Sequence, residues 1–165
     1  MDRLILLRHG DAERDSESGD DFDRRLSGRG REESARMGET LAELGLVPDL
    51  VLVSAAARAR ETWTALAQAF PKARVKFEDE LYLAEPERIR RAIDRACDGC
   101  GALMVVGHNP GLQELALGLL IEGSAQASAI DRVSNGFPTA AAAVFLFDGH
   151  GLPAYDGVFF PRDRR

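Results

Sequence analysis

Short aliphatic runs, separated by longer amphipathic stretches, dominate the pattern of apolar and polar positions along this chain. Three runs have the length and nearly unbroken apolar character of strands buried on both faces: residues 4–7, 49–53 and 102–106. Weaker strand patterns, the last of them peripheral, occur at residues 75–77, 144–147 and 158–160. The chain therefore supplies several strands for one sheet.

The stretches between these strands carry apolar residues at the spacing of amphipathic helices. Helices are predicted after Ser27, around Arg58 to Phe70, and from Pro86 and Pro110. Ser27 is a suitable N-cap and Gly45 suits the C-terminal end of the first helix, while Pro71 ends the second. Strands that alternate with helices predict a single α/β domain over residues 1–165, a three-layer α/β/α arrangement with a mostly parallel sheet.

Chemically capable side chains follow each of the three buried strands. Residues 8–10 (Arg-His-Gly) follow the first strand, residues 54–58 the second, and residues 107–109 (Gly-His-Asn) the third. The carboxyl ends of parallel strands share one edge of a sheet, which is where ligands bind in open α/β folds. Four side chains are therefore expected to meet there: Arg8, His9, Arg58 and His108.

The first of these junctions carries a recognisable motif. Residues 4–13, Leu-Ile-Leu-Leu-Arg-His-Gly-Asp-Ala-Glu, resemble the signature of the histidine phosphatase superfamily, the phosphoglycerate mutase-like enzymes with an Arg-His-Gly loop. Within that superfamily the segment looks most like the small bacterial SixA-type phosphohistidine phosphatases. Further motifs stand in the family's order over nearly the whole chain: Leu-Ser-x-x-Gly at 26–30, Ser-x-x-x-Arg-x-x-x-Thr at 54–62, Gly-His at 107–108 and Pro-Thr-Ala at 138–140.

The second motif departs from the family pattern at Ala55, where a proline commonly follows the serine. Arg60 competes with Arg58 as the cation of this motif. Two helical residues that are two positions apart do not share a face, and the register of the motif favours Arg58.

The resemblance implies a division of labour among the four side chains. His9 is expected to act as a neutral imidazole nucleophile that becomes a transient phosphohistidine, which water then hydrolyses. Arg8 and Arg58 are expected to clamp the phosphoryl oxygens, a task suited to planar guanidinium groups. His108 is expected to donate a hydrogen bond to the same oxygens, most effectively when it is protonated. A dianionic ligand would raise the pKa of His108 and so favour the protonated form.

Less specific signals add further candidates. Glu80 is the candidate proton donor, with Glu85 behind it, because some branches of the family place an acid in this neighbourhood. Asn109 is a candidate substrate-binding residue, and Thr139 is expected to brace the pocket. The acidic segment 11–25 reads either as a rim or lid of the site or as a solvated surface loop.

Composition limits the partners. A net charge of −6, from 21 Lys and Arg against 27 Asp and Glu, argues against an extended nucleic-acid surface. No apolar run approaches the roughly 20 residues of a membrane span, and residues 1–3 lead directly into the first strand without the pattern of a signal peptide. A cytoplasmic protein without a membrane partner is expected.

Cys97 and Cys100 are interpreted as ordinary thiols, since a metal or redox site would require a second pair of cysteines or a strand-to-helix setting. His150 is interpreted as an exposed histidine without a functional role.

Three functions fit these features. The leading one is a metal-independent phosphatase, without a cofactor, that releases inorganic phosphate from phosphohistidine on a protein, for example a histidine phosphotransfer domain. The second is a phosphatase of small phosphate-ester metabolites, with Glu80 as proton donor. The third is a non-catalytic phosphate-binding module, against which the presence of both histidines weighs. A metal site built from His9, Asp11 and His108 leaves both arginines without a purpose.

Overall fold

A six-stranded sheet lies at the centre of the computed structural model, which describes residues 1–162. Its strands are β1 (Arg3–Arg8), β2 (Leu50–Ser54), β3 (Arg74–Glu78), β4 (Ala102–Gly107), β5 (Ala142–Phe147) and β6 (Pro153–Phe159). They lie in the order β3-β2-β4-β1-β5-β6. The first four of these in spatial order pair in parallel, and β5 and β6 continue the sheet in antiparallel pairing. The mostly parallel sheet is therefore confirmed, and the last three residues of the predicted domain, 163–165, lie outside the described part of the chain.

Five helices among these residues cover the two faces of the sheet: α1 (Gly28–Glu43), α2 (Ala57–Leu66), α3 (Pro86–Ala96), α4 (Gly111–Glu122) and α5 (Ala127–Asn135). Alternate residues of a strand point to opposite faces, so Leu4 and Leu6 pack with α3, α4 and α5, while Ile5 and Leu7 pack with α1 and α2. Two hydrophobic cores, one on each side of the sheet, confirm the three-layer architecture.

Local sequence signals explain several helix ends. The hydroxyl oxygen of Ser27 accepts a hydrogen bond from the backbone N–H of Gly30 at 3.0 Å, which makes Ser27 the N-cap of α1 as predicted. Gly45 follows the end of α1 with a φ of +74°, a conformation that glycine adopts without strain. Pro86 lies in the first turn of α3. None of the helices described in residues 1–162 is long and apolar enough to cross a membrane.

Three elements differ from the prediction. Strand β6 covers Pro153–Phe159 and not only residues 158–160, because its outer residues are exposed and break the apolar pattern. Helix α5 was not predicted, since only Ala129 and Val133 of its nine residues are buried. Helix α2 also ends earlier than predicted, at Leu66, and a 3₁₀ turn over Ala67–Ala69 completes the segment.

The topology places β2, β4 and β1 side by side, so the junctions after these three strands share one edge. Helix α1 packs tightly against the loop that follows β1. A Cβ atom at Gly10 would lie 2.6 Å from the hydroxyl oxygen of Ser34, and a side chain at Gly30 would collide with the carbonyl oxygen of Asp11. Glycine at both positions therefore lets the helix support the backbone beside His9.

Candidate active site

One cavity of about 320 Å³ is lined by the four side chains that were expected at the sheet edge, Arg8, His9, Arg58 and His108. Asn109 and Thr139 line the same cavity. Four further residues of the same lining were not predicted as substrate-binding or catalytic residues: Asp11, Ala12, Arg24 and Leu83. Three of the ten lining residues are arginines, so the cavity is suited to an anion.

His9 is buried directly after the end of β1. Its Nδ1 lies 2.7 Å from the carbonyl oxygen of Gly10. A carbonyl oxygen only accepts, so Nδ1 carries the proton and Nε2 keeps its lone pair. Burial lowers the pKa of His9 to about 4, and the charges of Arg58 and Arg8 act in the same direction, although the hydrogen bond to Gly10 opposes them. The imidazole is therefore neutral near pH 7 and able to attack an electrophile.

A buried threonine links the loop after His9 to the helix that carries Arg58. The backbone N–H of Gly10 donates to the hydroxyl oxygen of Thr62 at 2.9 Å. That hydroxyl in turn donates to the carbonyl oxygen of Arg58 at 2.7 Å. The spacing of Arg58 and Thr62 therefore fixes the position of α2 against the His9 loop.

Arg8 and Arg58 are held by backbone carbonyl groups. One terminal nitrogen of Arg8, Nη1, donates to the carbonyl oxygen of Phe137 at 3.0 Å. Burial, and then the charge of Arg58, lower the pKa of Arg8. Arg58 is only 3% exposed, and its Nη1 donates to the carbonyl oxygen of Asp21 at 2.8 Å.

The acidic segment reaches the cavity through a 3₁₀ turn at Asp21–Asp23. The carboxylate of Asp21 accepts hydrogen bonds from Nη2 of Arg58 at 3.0 Å, from Nη1 of Arg24 at 2.9 Å and from the hydroxyl of Tyr82 at 2.5 Å. The hydrogen bonds from Tyr82 and Arg24, followed by that from Arg58, hold the pKa of Asp21 well below its usual range. This part of the segment forms a rim of the site, and Asp21 stays anionic.

His108 follows β4 and lies beside His9, with 5.1 Å between the ring centroids. Its Nε2 is 2.7 Å from the hydroxyl oxygen of Ser54, the last residue of β2. Its Nδ1 is buried and has no hydrogen-bond partner among residues 1–162. Burial, followed by the charges of the neighbouring His9 and Arg58, lowers the pKa of His108 to about 3, so the ring is neutral near pH 7.

Comparison with known proteins agrees with this geometry. The model of the histidine phosphatase superfamily, branch 1, matches residues 4–85. An uncharacterized protein of Mycobacterium tuberculosis is 35% identical over 148 residues, which cover 86% of this chain and 92% of that protein. The chain belongs to the histidine phosphatase superfamily.

Solved structures extend the similarity of this histidine phosphatase to the whole fold. The Agrobacterium tumefaciens protein named as a phosphohistidine phosphatase SixA superposes with a TM-score of 0.84 at 29% identity, over 97% of this chain and 98% of that one. The protein histidine phosphatase SixA in complex with tungstate superposes with a TM-score of 0.76 over 96% and 97% of the two chains. At 22% identity, the second similarity shows the fold alone. Taken together, the family and the Agrobacterium tumefaciens neighbour identify the chain as a phosphatase.

Glu80 and Glu85 do not line the cavity of this phosphatase. The carboxylate of Glu80 pairs with the guanidinium of Arg95 on α3. The 3₁₀ turn over Asp79–Leu81 buries Leu81 in the core and leaves the glutamate on the side of α3. Glu85 is exposed at the N-cap of the same helix. The structure does not bring either candidate proton donor to the phosphate-binding groups.

Asn109 and Thr139 both line the cavity, and the contacts that brace it come from the backbone of Ala140, next to Thr139. The side-chain amide of Asn109 donates to the carbonyl oxygen of Phe137 at 2.9 Å, the same oxygen that Arg8 contacts. The N–H of Ala140, next to Thr139, donates to the carbonyl oxygens of Arg8 at 3.1 Å and His9 at 3.0 Å. The turn before β5 is therefore fastened to the end of β1.

The remaining candidates lie outside the cavity. Arg60 donates through Nε to the carbonyl oxygen of Ala55 at 2.8 Å and covers the ring of Phe77. Cys97 and Cys100 are free thiols. His150 is exposed, as predicted. Within residues 1–162, no group of three or more His, Cys, Asp or Glu side chains is arranged to hold a metal ion.

Two kinds of site residue escaped the sequence analysis. Arg24 and Asp21 belong to the acidic segment, where no apolar periodicity locates any side chain. Tyr82 lies two positions after the candidate Glu80. Its hydroxyl donates to Asp21, and its ring centroid is 5.5 Å from that of His108. A signal was present for Arg24, because it is one of few cations in a segment adjoining the Arg-His-Gly loop.

Proposed function

We propose that this histidine phosphatase hydrolyses phosphohistidine on a protein, through a phosphohistidine intermediate on His9 and without a metal ion. The nucleophile is Nε2 of His9, because Nδ1 is bound to the carbonyl of Gly10. A neutral imidazole is the reactive form, and the lowered pKa of His9 keeps it neutral at physiological pH.

The reaction takes place in two displacements. In the first, Nε2 of His9 attacks the phosphorus atom of a substrate whose phosphorylated ring carries a proton on its other nitrogen. The P–N bond of the substrate breaks, its electron pair stays on the departing nitrogen, and the substrate ring leaves as neutral imidazole. In the second, water attacks the phosphorus atom on His9, and the new P–N bond breaks. The proton of water passes to the departing phosphate, and His9 recovers its lone pair.

Arginine side chains supply the positive charge for both steps. Arg8, Arg24 and Arg58 line the same cavity, and guanidinium groups bind phosphoryl oxygens with two parallel hydrogen bonds. His108 adds a neutral N–H donor. Catalysis of phosphoryl transfer mainly requires that the negative charge on the equatorial oxygens is stabilised. We propose that these cations provide this stabilisation, which a magnesium ion provides in other enzymes.

The leaving group decides the substrate class. Asp11 is the one acidic residue among the described lining residues, and its carboxylate accepts a hydrogen bond from the hydroxyl of Ser27 at 2.6 Å. Asp21, which contacts the arginines, is held as an anion. An alkoxide leaves poorly without a proton donor, whereas imidazole, with a reference pKa of about 6.5, leaves well. A site whose candidate acids, Glu80 and Glu85, lie elsewhere is thus suited to phosphohistidine; this single observation carries the proposal.

One neighbour supports the same substrate class. The Agrobacterium tumefaciens structure, 29% identical to this chain, is named after phosphohistidine phosphatase activity. For the present chain, we take the carrier to be a protein such as a histidine phosphotransfer domain.

One experiment separates this function from hydrolysis of small esters. The values of kcat/KM are measured for a phosphorylated histidine phosphotransfer domain and for glycerol phosphate, with the wild type and Glu80→Gln, in the presence and absence of EDTA. We expect the phosphoprotein to be preferred by at least about 100-fold, with E80Q and the chelator each changing the rate by less than about twofold. Preference for the ester together with a large loss in E80Q would establish the esterase instead.

A second measurement addresses catalysis itself. Rapid quenching with a ³²P-labelled phosphoprotein is expected to trap label on the enzyme, and His9→Ala is expected to abolish both the label and turnover. A His9→Ala variant with unchanged turnover refutes the mechanism. Phosphate binding without any turnover in the wild type indicates the non-catalytic module.

A further inference from the structure

Two exposed apolar side chains stand beside the cationic cavity. Leu83 lines the cavity and is 53% exposed. Phe22 is 36% exposed, and its ring meets the edge of Tyr82 with 4.9 Å between centroids. Tyr82 connects the two positions, and its hydroxyl is bound to Asp21. We name Phe22, Tyr82 and Leu83 the apolar rim.

The backbone at Leu83 is in a conformation that leucine rarely adopts. Its φ is +50°, in the left-handed region that is strained for a residue with a Cβ atom. Glycine or asparagine would fit there with less strain. A leucine at this position therefore makes no evident contribution to folding, since its side chain is also largely in solvent.

The neighbours of Leu83 hold it in place. Leu81 and Ala84 are buried on either side of the rim, in the core below α3 and α4. The start of α4 packs so closely on this segment that a side chain at Gly111 would collide with the carbonyl oxygen of Ala84. The exposed leucine is consequently presented by a fixed backbone and not by a loose loop.

We propose that the apolar rim is the contact surface for the protein segment that flanks the substrate phosphohistidine. This inference rests on the proposed function and extends it to a recognition surface. The apolar rim adjoins the cationic cavity that receives the phosphoryl group. A protein surface that carries a phosphohistidine next to apolar side chains would therefore complement both the cavity and the rim. A small ligand is normally enclosed by the walls of its site, whereas Leu83 at the edge of the cavity and Phe22 beside it remain 53% and 36% exposed. A larger surface is needed to cover both side chains.

The test compares Leu83→Asn with Leu152→Asn. Asparagine tolerates the left-handed conformation, so L83N removes the apolar side chain without adding backbone strain. Leu152 is equally exposed, at 54%, and precedes β6 away from the cavity. Each variant is assayed with a phosphorylated histidine phosphotransfer domain and with free phosphohistidine, and its melting temperature is recorded.

For L83N we expect kcat/KM on the phosphoprotein to fall about tenfold, mainly through KM, and at least about fivefold more than the value for free phosphohistidine. L152N is expected to leave both values unchanged. Leu83→Gly serves as a second variant and is expected to reproduce the selective loss.

Two results overturn the rim: an equal loss on both substrates, which means that Leu83 only shapes the cavity, or no loss on either. Failure of the proposed function is recognised separately, in the wild type. A wild-type enzyme with no preference for the phosphoprotein over free phosphohistidine removes the protein partner, and the rim with it. A preserved wild-type preference that L83N does not reduce refutes the rim alone.

Discussion

The hydroxyl of Ser54, 2.7 Å from Nε2 of His108, determines which nitrogen of that ring carries the proton. The hydroxyl oxygen already accepts the backbone N–H of Ala56 at 3.3 Å. Ser54 is fully buried, and a buried hydroxyl proton requires an acceptor. Nε2 of His108 is that acceptor, so the proton of the imidazole resides on Nδ1. A neutral His108 is thereby a hydrogen-bond donor at a defined atom.

Replacement of Ser54 tests this relationship. In Ser54→Ala the two tautomers of His108 compete, and we expect kcat/KM to fall by about 10-fold to 100-fold, as when a single donor to a transition state is lost. Ser34→Ala is the matched control, because Ser34 is equally buried and its hydroxyl has no partner in the described chain. ¹⁵N chemical shifts of His108 report the tautomer directly. An Nε2–H tautomer in the wild type contradicts the assignment.

The lowered pKa values of His9 and His108 predict how the protein titrates. Without phosphate, we expect neither ring to titrate between pH 5.5 and 8, with His9 protonating near pH 4 and His108 near pH 3. NMR titration of the ring protons, assigned with His9→Gln and His108→Gln, measures this. A midpoint near the ordinary value of 6.5 for either ring refutes the prediction.

The same values set the direction of the stability change. Between pH 4 and 6.5 the unfolded chain binds protons at these two histidines and the folded protein does not, so unfolding takes up protons. The contribution is complete above pH 6.5 and is lost as the pH falls through the folded pKa values. The free energy of unfolding is therefore expected to decrease on acidification, less steeply in His108→Gln.

Arg24 and Arg25 form a natural pair of test and control. Arg24 lines the cavity, whereas Arg25, the next residue, binds the carboxylate of Glu61 at 2.8 Å on the surface. Loss of a phosphate-binding guanidinium in Arg24→Ala is expected to raise KM about tenfold. Arg25→Ala removes only an exposed ion pair and is expected to change KM by less than about twofold. Equal effects of the two substitutions exclude a role of Arg24 in the site.

Asp21 binds the guanidinium groups of Arg24 and Arg58, the groups that we propose bind phosphate. Removal of its charge in Asp21→Asn is expected to lower the inhibition constant of inorganic phosphate by about threefold to tenfold, because an anion next to both cations disappears. Asp23→Asn is the control, since Asp23 is exposed on the same turn and accepts from the hydroxyl of Ser18 instead. Weaker phosphate inhibition in D21N means that Asp21 mainly holds Arg58 in place.

The sequence was sufficient for the sheet edge and its four central side chains. Buried strands leave a strong pattern, and polar residues directly after them are placed by the sheet itself, as for His9 after β1 and His108 after β4. Arg58 was chosen over Arg60 because two positions on a helix face different directions and because the register of the family motif favours Arg58. These predictions depended on local periodicity together with the resemblance to the family.

The remaining site contacts depend on long-range packing. Asp21 contacts Arg58 across 37 residues of sequence, and no local sequence pattern predicts which distant side chain a polar loop will contact. Glu80 illustrates the reverse case: the sequence offered an acid next to a leucine, but burial of Leu81 turns the carboxylate toward Arg95. Helix α5 was missed because small and polar residues outnumber its two buried positions.

Gly30 shows how a residue without a side chain is constrained as strictly as a nucleophile. It lies in the first turn of α1, and any larger residue collides with the carbonyl oxygen of Asp11, two residues beyond His9. Gly28, one position after the N-cap, has open space around it. In a library of random variants selected for activity, position 28 would accept many amino acids, whereas position 30 would return glycine together with the histidines.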